Sequence, residues 1–356
     1  MNIVEATKSY EHWLGGQVKL VKRDLKAKHK IMHDSAFGFL RATYYRWLQL
    51  LPKHYPEAEA APRLLGVGDL HLENFGTWRD GEARLVWGIN DFDEAHTMPY
   101  TADLVRLAAS ALIAIEEKSL FVGARRACSA ILDGYAAIIA ADEARPFVLE
   151  EHNDVLRDIA MSDRRNPKKF WKELRKGAAV EPPDDARTLL LKHLPHGRPE
   201  VSFHRRTAGA GSLGLPRFVA ICELDRSLIA REAKARAPSA RSWAGQGSGE
   251  DFVAAMLSKA IRPHDPFLHA EPGWIIRRLA PHCERIALAE IARAAERRTV
   301  LHAMGSETAN IHRSTRGATL RIRKHLKAQK DGWLYDAASR MAEAVHKDWK
   351  VWQRRG

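Results

Sequence analysis

Residues 64–95 constrain the fold more than any other segment; they read LLGVGDLHLENFGTWRDGEARLVWGINDFDEA. An apolar run leads into Asp69, His71 and Asn74, and an Asp-Gly pair then separates two runs of alternating apolar residues. Alternation on both sides of Asp-Gly is typical of a β-hairpin. Because Asp91 follows the second run, the sequence predicts one small hairpin with polar side chains before its first strand and after its second.

Helical periodicity dominates on either side of this hairpin. From Ser35 to Pro52, apolar residues recur at three- and four-residue steps, which predicts one amphipathic helix capped by Ser35 and ended by Pro52. Similar spacing recurs in 101–117, in 124–143 and from about 286 to 352. The chain is therefore expected to be rich in helix.

A change of composition divides the chain. Residues 177–200 contain four prolines and a run of acids, which indicates a boundary. Apolar runs between 201 and 230 then predict a meander of strands. We expect an α+β fold with a helical lobe that carries the hairpin (1–195), a small β-rich lobe (196–285) and C-terminal helices that pack on the helical lobe (286–356).

Composition narrows the class of protein. The 356 residues carry a formal net charge of +13, which favours anionic partners such as nucleotide phosphates. The three cysteines are far apart, which fits a reducing compartment. The first residues do not resemble a secretion signal, and no run approaches about 18 uninterrupted apolar residues. We expect a cytoplasmic protein with no membrane partner.

The order of the polar residues around the hairpin indicates a class of reaction, phosphoryl transfer. Phosphotransferases of the protein-kinase fold use an Asp, then an Asn five residues later, then an Asp in an acidic turn beyond a hairpin. On that pattern Asp69 orients or deprotonates an acceptor hydroxyl, while Asn74 and Asp91 hold Mg²⁺ through oxygen atoms. Asp93 is a further candidate metal ligand. His71 is a candidate member of the catalytic site without an assigned role.

Four segments together resemble a known family: GDLHLENFG, INDFDEA, PYTADLVRLAAS and GAGSLGLPRF. They are similar to an uncharacterised bacterial family, domain of unknown function 2252, over residues 30 to about 279. That family in turn resembles aminoglycoside and choline phosphotransferases. The resemblance implies ATP and Mg²⁺ as cofactors and an unidentified hydroxyl acceptor. It also implies that Asp103 braces the catalytic loop from below.

The Gly-rich segment GAGSLG is a candidate cover for the phosphates of a nucleotide. Gly209, Gly211, Ser212 and Gly214 precede an apolar strand instead of opening a helix, which argues against a dinucleotide-binding turn. Kinases cover the phosphates of ATP with a strand-turn-strand of this kind. These four residues are therefore candidate nucleotide contacts.

Kinases also need a cation that holds the phosphates and an acid that positions it. Members of the similar family typically have Lys-Glu-Ala where this chain has Arg231-Glu232-Ala233, so Arg231 and the nearby Lys234 are the candidate cations. Glu250 is the candidate acid. Because these motifs follow the hairpin motifs instead of preceding them, the resemblance implies a two-lobed protein-kinase-like fold that is circularly permuted.

Other functions stay open at this stage. Arginine at position 231 favours a pseudokinase or scaffold that binds a nucleotide without transferring its phosphate. A metal-dependent phosphoesterase also uses Asp, His and Asn in turns after apolar strands, but the further His-bearing turns of that class are missing from the sequence. The basic segments RRNPKKFWKELRKG and IHRSTRGATLRIRKHLKAQK could bind nucleic acid, although solvated helix faces have the same composition.

Overall fold

The computed structural model describes residues 1–150, 154–161, 166–197, 200–247, 251–283, 285–286 and 294–355. Over these residues the chain is a mixed α+β protein in which helix predominates, so the expected fold class is confirmed at that level. Its helices are α1 (Ile3–Gln17), α2 (Lys22–Asp34), α3 (Ala36–Ala42), α4 (Tyr44–His54), α5 (Tyr100–Glu116), α6 (Ala124–Ala140), α7 (Asp154–Ala160), α8 (Pro167–Leu174), α9 (Asp184–Lys192), α10 (Ala240–Trp243), α11 (Val253–Lys259), α12 (Ala294–Arg313), α13 (Ala318–Lys327) and α14 (Trp333–Gln353).

The strands form three small antiparallel sheets in the described part of the chain. Their bounds are β1 (Arg63–Gly66), β2 (Phe75–Arg79), β3 (Leu85–Ile89), β4 (His96–Pro99), β5 (Phe147–Val148), β6 (Val201–Arg205), β7 (Arg217–Leu224), β8 (Ser227–Ala235), β9 (His269–Glu271) and β10 (Trp274–Leu279). β1 pairs with β4, and β3 lies between β2 and β5. The third sheet has the order β6-β7-β8-β10-β9 and contains the predicted meander.

β2 and β3 form the predicted hairpin, with Phe75 opposite Ile89. Asp80 holds the turn, because its Oδ1 accepts hydrogen bonds from the backbone N–H groups of Glu82 (3.0 Å) and Arg84 (2.9 Å). At the open end of the hairpin the two chain segments are joined by a backbone hydrogen bond, residue 90 to residue 74, of 3.0 Å. The polar residues before and after the hairpin therefore lie side by side.

The segment from 35 to 52 differs from the prediction of one helix. The chain leaves helical geometry at Thr43 (φ −127°, ψ 43°), which divides the segment into α3 and α4. Ser35 caps α3 as predicted, its Oγ accepting from the Gly38 N–H at 2.8 Å. Pro52 lies within the last turn of α4 instead of ending it, and the helix continues to His54. The expected boundary at 177–200 likewise contains a helix, α9.

Helix α5 is the centre of the core. It packs against α3, α6, α12 and α14, and its residues from Tyr100 to Ala114 are buried. Polar side chains buried in a helix of this kind need partners, and Asp103, Arg106 and Ser110 have hydrogen-bond partners in the loop that follows β1. No helix among the described residues has both the length and the apolar content needed to cross a bilayer.

Candidate functional site

A cavity of about 460 Å³ lies between the open end of the β2–β3 hairpin and the five-stranded sheet. Residues predicted from two distant parts of the sequence line it together. They are Asp69, His71, Asn74, Asp91, Asp93, Gly209, Gly211 and Ser212. The fold thus brings the hairpin motifs and most of the Gly-rich segment to one cavity, which is the candidate site.

One face of α5 holds the loop that carries Asp69. Asp103, Arg106 and Ser110 follow one another at three- and four-residue steps and are fully buried. Ser110 Oγ accepts a hydrogen bond from the Leu72 N–H at 3.1 Å, and Arg106 binds the Asp69 carboxylate. Since these partners span the loop from its start to its end, α5 fixes the position of Asp69.

Asp103 holds the backbone just before Asp69. Its Oδ2 accepts from the Val67 N–H at 2.7 Å, its Oδ1 accepts from the Gly68 N–H at 2.9 Å, and His312 Nε2 lies 3.0 Å from Oδ2. The predicted bracing role of Asp103 is confirmed. Gly68 has φ +86°, and a Cβ there would lie 2.2 Å from the Glu94 carbonyl oxygen, so the turn requires glycine.

The two carboxylate oxygens of Asp69 have different surroundings. Arg106 Nε donates to Oδ1 at 2.9 Å, and Arg106 Nη2 donates to the same oxygen. The guanidinium also donates to the Leu40 carbonyl oxygen at 2.9 Å and lies over the Trp47 ring. Oδ2 lies beside Gly211, where a Cβ would be 3.3 Å away. Burial raises the pKa of Asp69, and the Arg106 cation opposes that rise.

His71 and Asn74 fix each other across a short 3₁₀ turn. The Asn74 Oδ1 accepts from the His71 N–H at 2.9 Å, and the His71 Nδ1 accepts from the Glu73 N–H at 3.1 Å. Burial, with the Arg41 and Arg106 cations, holds the pKa of His71 well below its ordinary value. His71 is therefore a neutral imidazole with its proton on Nε2, and its shown role is to cap the turn.

Lys234 joins the acidic turn to the five-stranded sheet. Its Nζ lies 3.4 Å from Asp91 Oδ1 and forms a closer ion pair with the Asp93 carboxylate. Burial favours a raised pKa for Asp91, but Lys234, Arg217 and Arg277 outweigh it, so the pKa is lowered. Burial and the adjacent Asp91 raise the pKa of Asp93. The turn thus holds two carboxylates that share Lys234, one with a lowered pKa and one with a raised pKa.

Arg231, the other predicted cation, lies away from the cavity. Successive residues of a strand point to opposite faces, so the side chains at positions 231 and 234 of β8 lie on opposite faces of the sheet. Arg231 Nε donates to the His193 carbonyl oxygen at 3.0 Å, and its guanidinium lies 4.5 Å from the Phe267 ring centre. Of the two candidate cations, Lys234 is the one that reaches the acidic turn. Glu250, the predicted partner acid, lies outside the described residues.

The Gly-rich segment between β6 and β7 covers the cavity near Asp69. Gly209 and Gly214 have φ of +76° and +104°. Gly211 approaches the Arg41 carbonyl oxygen so closely that a Cβ would lie 3.1 Å from it. Gly214 is set back from the cavity, and its carbonyl oxygen accepts from the Val21 N–H at 2.8 Å. The segment is therefore held between the hairpin side and α2.

Three arginines that line the cavity share one buried carboxylate, Glu232 of β8. Arg206 Nη1 donates to Glu232 Oε1 at 2.5 Å, while Arg277 Nε and Arg217 Nη1 donate to Oε2 at 2.6 Å and 3.2 Å. Glu232 is fully buried, and these arginines hold its pKa well below the ordinary value against the effect of burial. We call these four residues the arginine cluster. Three cations on one anion leave net positive charge facing the cavity.

Glu94 ends the acidic turn and ties it to the start of α10. Its Oε2 accepts from Ser239 Oγ at 2.5 Å and from the Ala240 N–H at 2.9 Å. Burial raises the pKa of Glu94 to about 8, and the nearby Asp69 adds to the rise. Glu94 also lines the cavity, so the turn contributes a carboxyl group that is mostly protonated at neutral pH.

A second buried glutamate supports the hairpin from behind. Glu307 of α12 accepts a hydrogen bond from the Ile89 N–H at 3.3 Å. Arg262 donates to the Ile89 carbonyl oxygen and lies 3.9 Å from the Trp78 ring centre. Burial raises the pKa of Glu307 to about 7, although Arg262 opposes the rise. The end of β3, just before Asp91, therefore rests on a buried carboxyl group that does not readily ionise.

The basic segments have structural partners where the structure describes them. Arg313 and Arg323 donate to carbonyl oxygens at the C-terminal end of α6, where cations are favourable. In RRNPKKFWKELRKG, Phe170 and Trp171 of α8 pack on the five-stranded sheet. Within the described ranges no three His, Cys, Asp or Glu side chains come together as a metal site.

Several residues of the site are missing from the sequence-based prediction. They are Lys28, Tyr44, Glu94, Arg106, Arg206, Arg217 and Arg277. The sequence did contain a signal for Arg106, because a lone arginine in the apolar helical segment 101–117 needs a buried partner. The sequence contained no such signal for the arginines of the cluster, since an arginine in or beside a strand looks the same whether it faces solvent or a cavity.

The comparisons with known proteins identify a family for part of the chain. The model of the family DUF2252, described as an uncharacterised protein conserved in bacteria, matches residues 20–201. That range includes the hairpin, both polar segments beside it and α5, and ends at the start of β6. No curated protein and no solved structure matches the chain. Because the family match spans half of the chain, the protein belongs to the bacterial family DUF2252.

Proposed function

We propose that this protein is an ATP- and Mg²⁺-dependent phosphotransferase with a circularly permuted, kinase-like arrangement, acting on a hydroxyl acceptor. One observation carries the proposal. Asp69, Asn74 and Asp91 line a single cavity with the Gly-rich segment, although about 120 residues separate the two parts of the sequence. Phosphoryl transfer needs a base, metal ligands and a phosphate cover in one place, and residues suited to each of these roles line this cavity.

The residues at the open end of the hairpin suit a magnesium ion. Asn74, Asp91 and Asp93 offer carboxylate and carboxamide oxygens, which are the donors that Mg²⁺ prefers. Asp91 and Asp93 already bind a cation, the Lys234 ammonium, so their position favours positive charge. Asn74 Oδ1 accepts one hydrogen bond and keeps a second lone pair. When bound, the ion would neutralise phosphate charge during transfer.

The sheet side of the cavity suits a triphosphate. Lys234 and the arginine cluster contribute fixed positive charges, and Ser212 contacts Arg217 within the Gly-rich cover. Glu232 orients the three guanidinium groups, and its single negative charge does not neutralise all of them. A planar guanidinium binds phosphate through paired hydrogen bonds, so the cluster can take over part of the role that a single lysine has in kinases. This arrangement fits the strongly anionic nucleotide.

Asp69 has the features of an oriented base. Arg106 fixes its Oδ1, and no hydrogen bond to Oδ2 is present among the described residues. Because Oδ2 faces the cavity, it can accept the proton of an acceptor hydroxyl as that oxygen attacks the terminal phosphorus atom. Burial raises the pKa of this carboxyl, which improves it as a proton acceptor.

A pseudokinase is the second candidate, and one observation favours it. Gly211 lies against Asp69 and the Arg41 backbone, so in this conformation the Gly-rich cover narrows the space beside Oδ2. A transferase must admit an acceptor hydroxyl to this space, whereas a nucleotide-binding scaffold need not. The two candidates separate in one assay, because a pseudokinase binds Mg²⁺-ATP without releasing labelled phosphate from the γ position.

A thermal-shift titration tests the proposed function. Wild type, Asp91→Asn and Asp80→Asn are titrated with ATP and Mg²⁺, singly and together. Asp80 lies at the closed end of the same hairpin and serves as the matched control. A ligand present at about 100 times its Kd stabilises the folded state by about 2.7 kcal/mol. We expect a Mg²⁺-dependent ATP shift in wild type and Asp80→Asn but not in Asp91→Asn. Equal shifts in all three proteins would contradict the proposal.

A further inference from the structure

Lys28 of α2 is a buried cation that lines the cavity. Its side chain is 2% exposed, and it faces the Gly-rich segment near Asp69. Lysine is almost never buried to this extent without a charged partner, because removing an ammonium group from water is costly. The surroundings of Lys28 therefore decide what this group is for.

The protein gives Lys28 little compensation. Its Nζ lies 3.5 Å from the Gly211 carbonyl oxygen, at the limit of a hydrogen bond. It also lies 5.7 Å from the ring centres of both Tyr10 and Tyr45. In the part of the chain that the structure describes, no carboxylate forms an ion pair with it. An ammonium has three N–H donors, so at least two remain for a ligand.

The acids whose charges act on Lys28 are engaged by other groups. Arg106 binds the Asp69 carboxylate, and His29 Nε2 lies 2.6 Å from Glu11 Oε1. Glu94 accepts from Ser239 Oγ and the Ala240 N–H. Each of these acids acts on Lys28 only from a distance, and burial lowers the pKa of Lys28 in spite of them. The positive charge of Lys28 is left without a direct counter-ion.

A second residue with a buried polar group lines the same cavity. The Tyr44 hydroxyl is buried and has no hydrogen-bond partner within the described residues. Tyr44 is 4% exposed and lines the cavity with Lys28 and Asp69. A buried hydroxyl without a partner destabilises the folded protein. Two residues with unsatisfied donors that line one cavity indicate an acceptor group that comes from outside the protein.

We propose that Lys28 and Tyr44 form an anion subsite beside Asp69 that binds a phosphate-sized group of a ligand. The ammonium supplies charge and the hydroxyl a further donor, which together suit a tetrahedral or carboxylate oxyanion. Within the proposed function, on which this meaning rests, the anion is either the terminal phosphate of the nucleotide or an acidic group on the acceptor. The experiment separates these two sources.

The direct test is calorimetric titration of inorganic phosphate into the full-length chain. We expect wild type to bind phosphate and Lys28→Met to bind it more weakly, on the order of tenfold or more, since a charged hydrogen bond is lost. Tyr44→Phe should weaken binding by about threefold. Lys26→Met, an exposed change on the same helix, is the matched control and should bind as wild type does.

The stability of the variants distinguishes a binding role from a structural one. Without phosphate, Lys28→Met should unfold at the same temperature as wild type or higher, because it removes a buried charge that lacks a counter-ion. A Lys28→Met protein that unfolds at a lower temperature and binds phosphate as wild type does would assign the lysine to packing and overturn the subsite. Phosphate that binds equally well to both proteins would likewise overturn the subsite, because the arginine cluster would then be what holds it. A wild type that binds no phosphate would overturn the subsite too.

Nucleotide titrations then identify the source of the anion. If the subsite takes the terminal phosphate, Lys28→Met weakens ATP binding but leaves ADP binding unchanged. If it takes an acidic group of the acceptor, both nucleotides bind as in wild type, and phosphate still binds when ATP is saturating. If phosphate binding depends on Lys28 but the protein does not bind ATP, the subsite is supported and the phosphotransferase is rejected. If the protein binds ATP but its phosphate binding does not depend on Lys28, the subsite is rejected and the phosphotransferase is retained.

Discussion

The two sides of the cavity differ in charge and in how that charge is held. On the hairpin side, Asp69 is fixed by one buried arginine, while Asp91 and Asp93 lie more exposed and share one lysine. On the sheet side, three arginines share the single buried Glu232. The hairpin side therefore presents carboxylates, which suit a cation and a hydroxyl, whereas the sheet side presents fixed positive charge, which suits phosphates. In the proposed function, binding of a metal-nucleotide complex needs both sides.

The largest expected effect is on turnover and belongs to the hairpin side. Asp69→Asn keeps an oxygen for Arg106 but removes the proton acceptor, so phosphoryl transfer should fall about 10²- to 10⁴-fold. Nucleotide affinity should change little, because the sheet side is intact. Release of labelled γ-phosphate in single-turnover assays measures the effect. An Asp69→Asn protein with the activity of wild type would remove the base from the account.

Lys234 links the two sides, and Arg231 on the same strand provides its control. Lys234→Met should weaken binding of Mg²⁺-ATP by about 10- to 100-fold, as expected when a charged hydrogen bond to phosphate is lost. Arg231→Met should leave the affinity unchanged, because its guanidinium contacts a backbone carbonyl and Phe267 outside the cavity. Calorimetry on both variants tests this contrast, and the opposite ranking would restore the sequence-based assignment of Arg231.

The two buried glutamates of the two sides should respond oppositely to pH. The pKa of Glu232 is held well below its ordinary value, while burial raises the pKa of Glu307 to about 7. A raised carboxyl pKa gives stability that is complete below about pH 4.5 and is lost as the pH rises through about 7. Wild type should therefore lose about 2–3 kcal/mol relative to Glu307→Gln between about pH 5 and pH 8.

Urea unfolding of both proteins at several pH values measures that difference. If Glu307 is ionised in the folded protein, because the Arg262 cation outweighs burial, the two stability curves stay parallel across this range. That result would contradict the raised pKa and leave the hairpin supported by a charge pair.

The smallest expected effect belongs to the arginine cluster. Arg277→Gln removes one of three cations and should weaken binding of Mg²⁺-ATP about three- to tenfold and reduce its dependence on salt. Arg226→Gln changes an exposed arginine at the β7–β8 turn of the same sheet and is the matched control. Titrations at low and high salt measure both effects. A loss as large for Arg226→Gln would assign the effect to net charge alone.

The two sides also differ in how well the sequence predicts them. On the hairpin side, local alternation and spacing suffice, because Asn74 and Asp91 lie directly beside strands that pair with each other. On the sheet side, the prediction depends on which face of the sheet each side chain lies on. The resemblance favoured residue 231 over 234, but the pairing of β8 with β7 and β10 turns residue 234 toward the acidic turn.

Long-range partners account for the rest. Lys28 and the Gly211 carbonyl oxygen that it faces are far apart in the chain, and no local pattern connects them. The break at Thr43 depends on a backbone geometry that helical periodicity cannot reveal. Arg106 is the intermediate case, since its apolar helix predicts burial but not that its partner is Asp69. Sequence patterns predicted the segments that form the site, but they did not predict many of the charged residues that tertiary contacts bring to it.

A crystal structure of the protein with a non-hydrolysable ATP analogue and Mn²⁺ tests the central claim most directly. The account predicts anomalous signal from the metal beside Asn74 and Asp91, and a triphosphate between the Gly-rich segment and Lys234. The γ-phosphate should lie close enough to Asp69 for an acceptor hydroxyl to bridge them. A nucleotide bound outside this cavity, or a metal without contact to Asp91, would contradict the account.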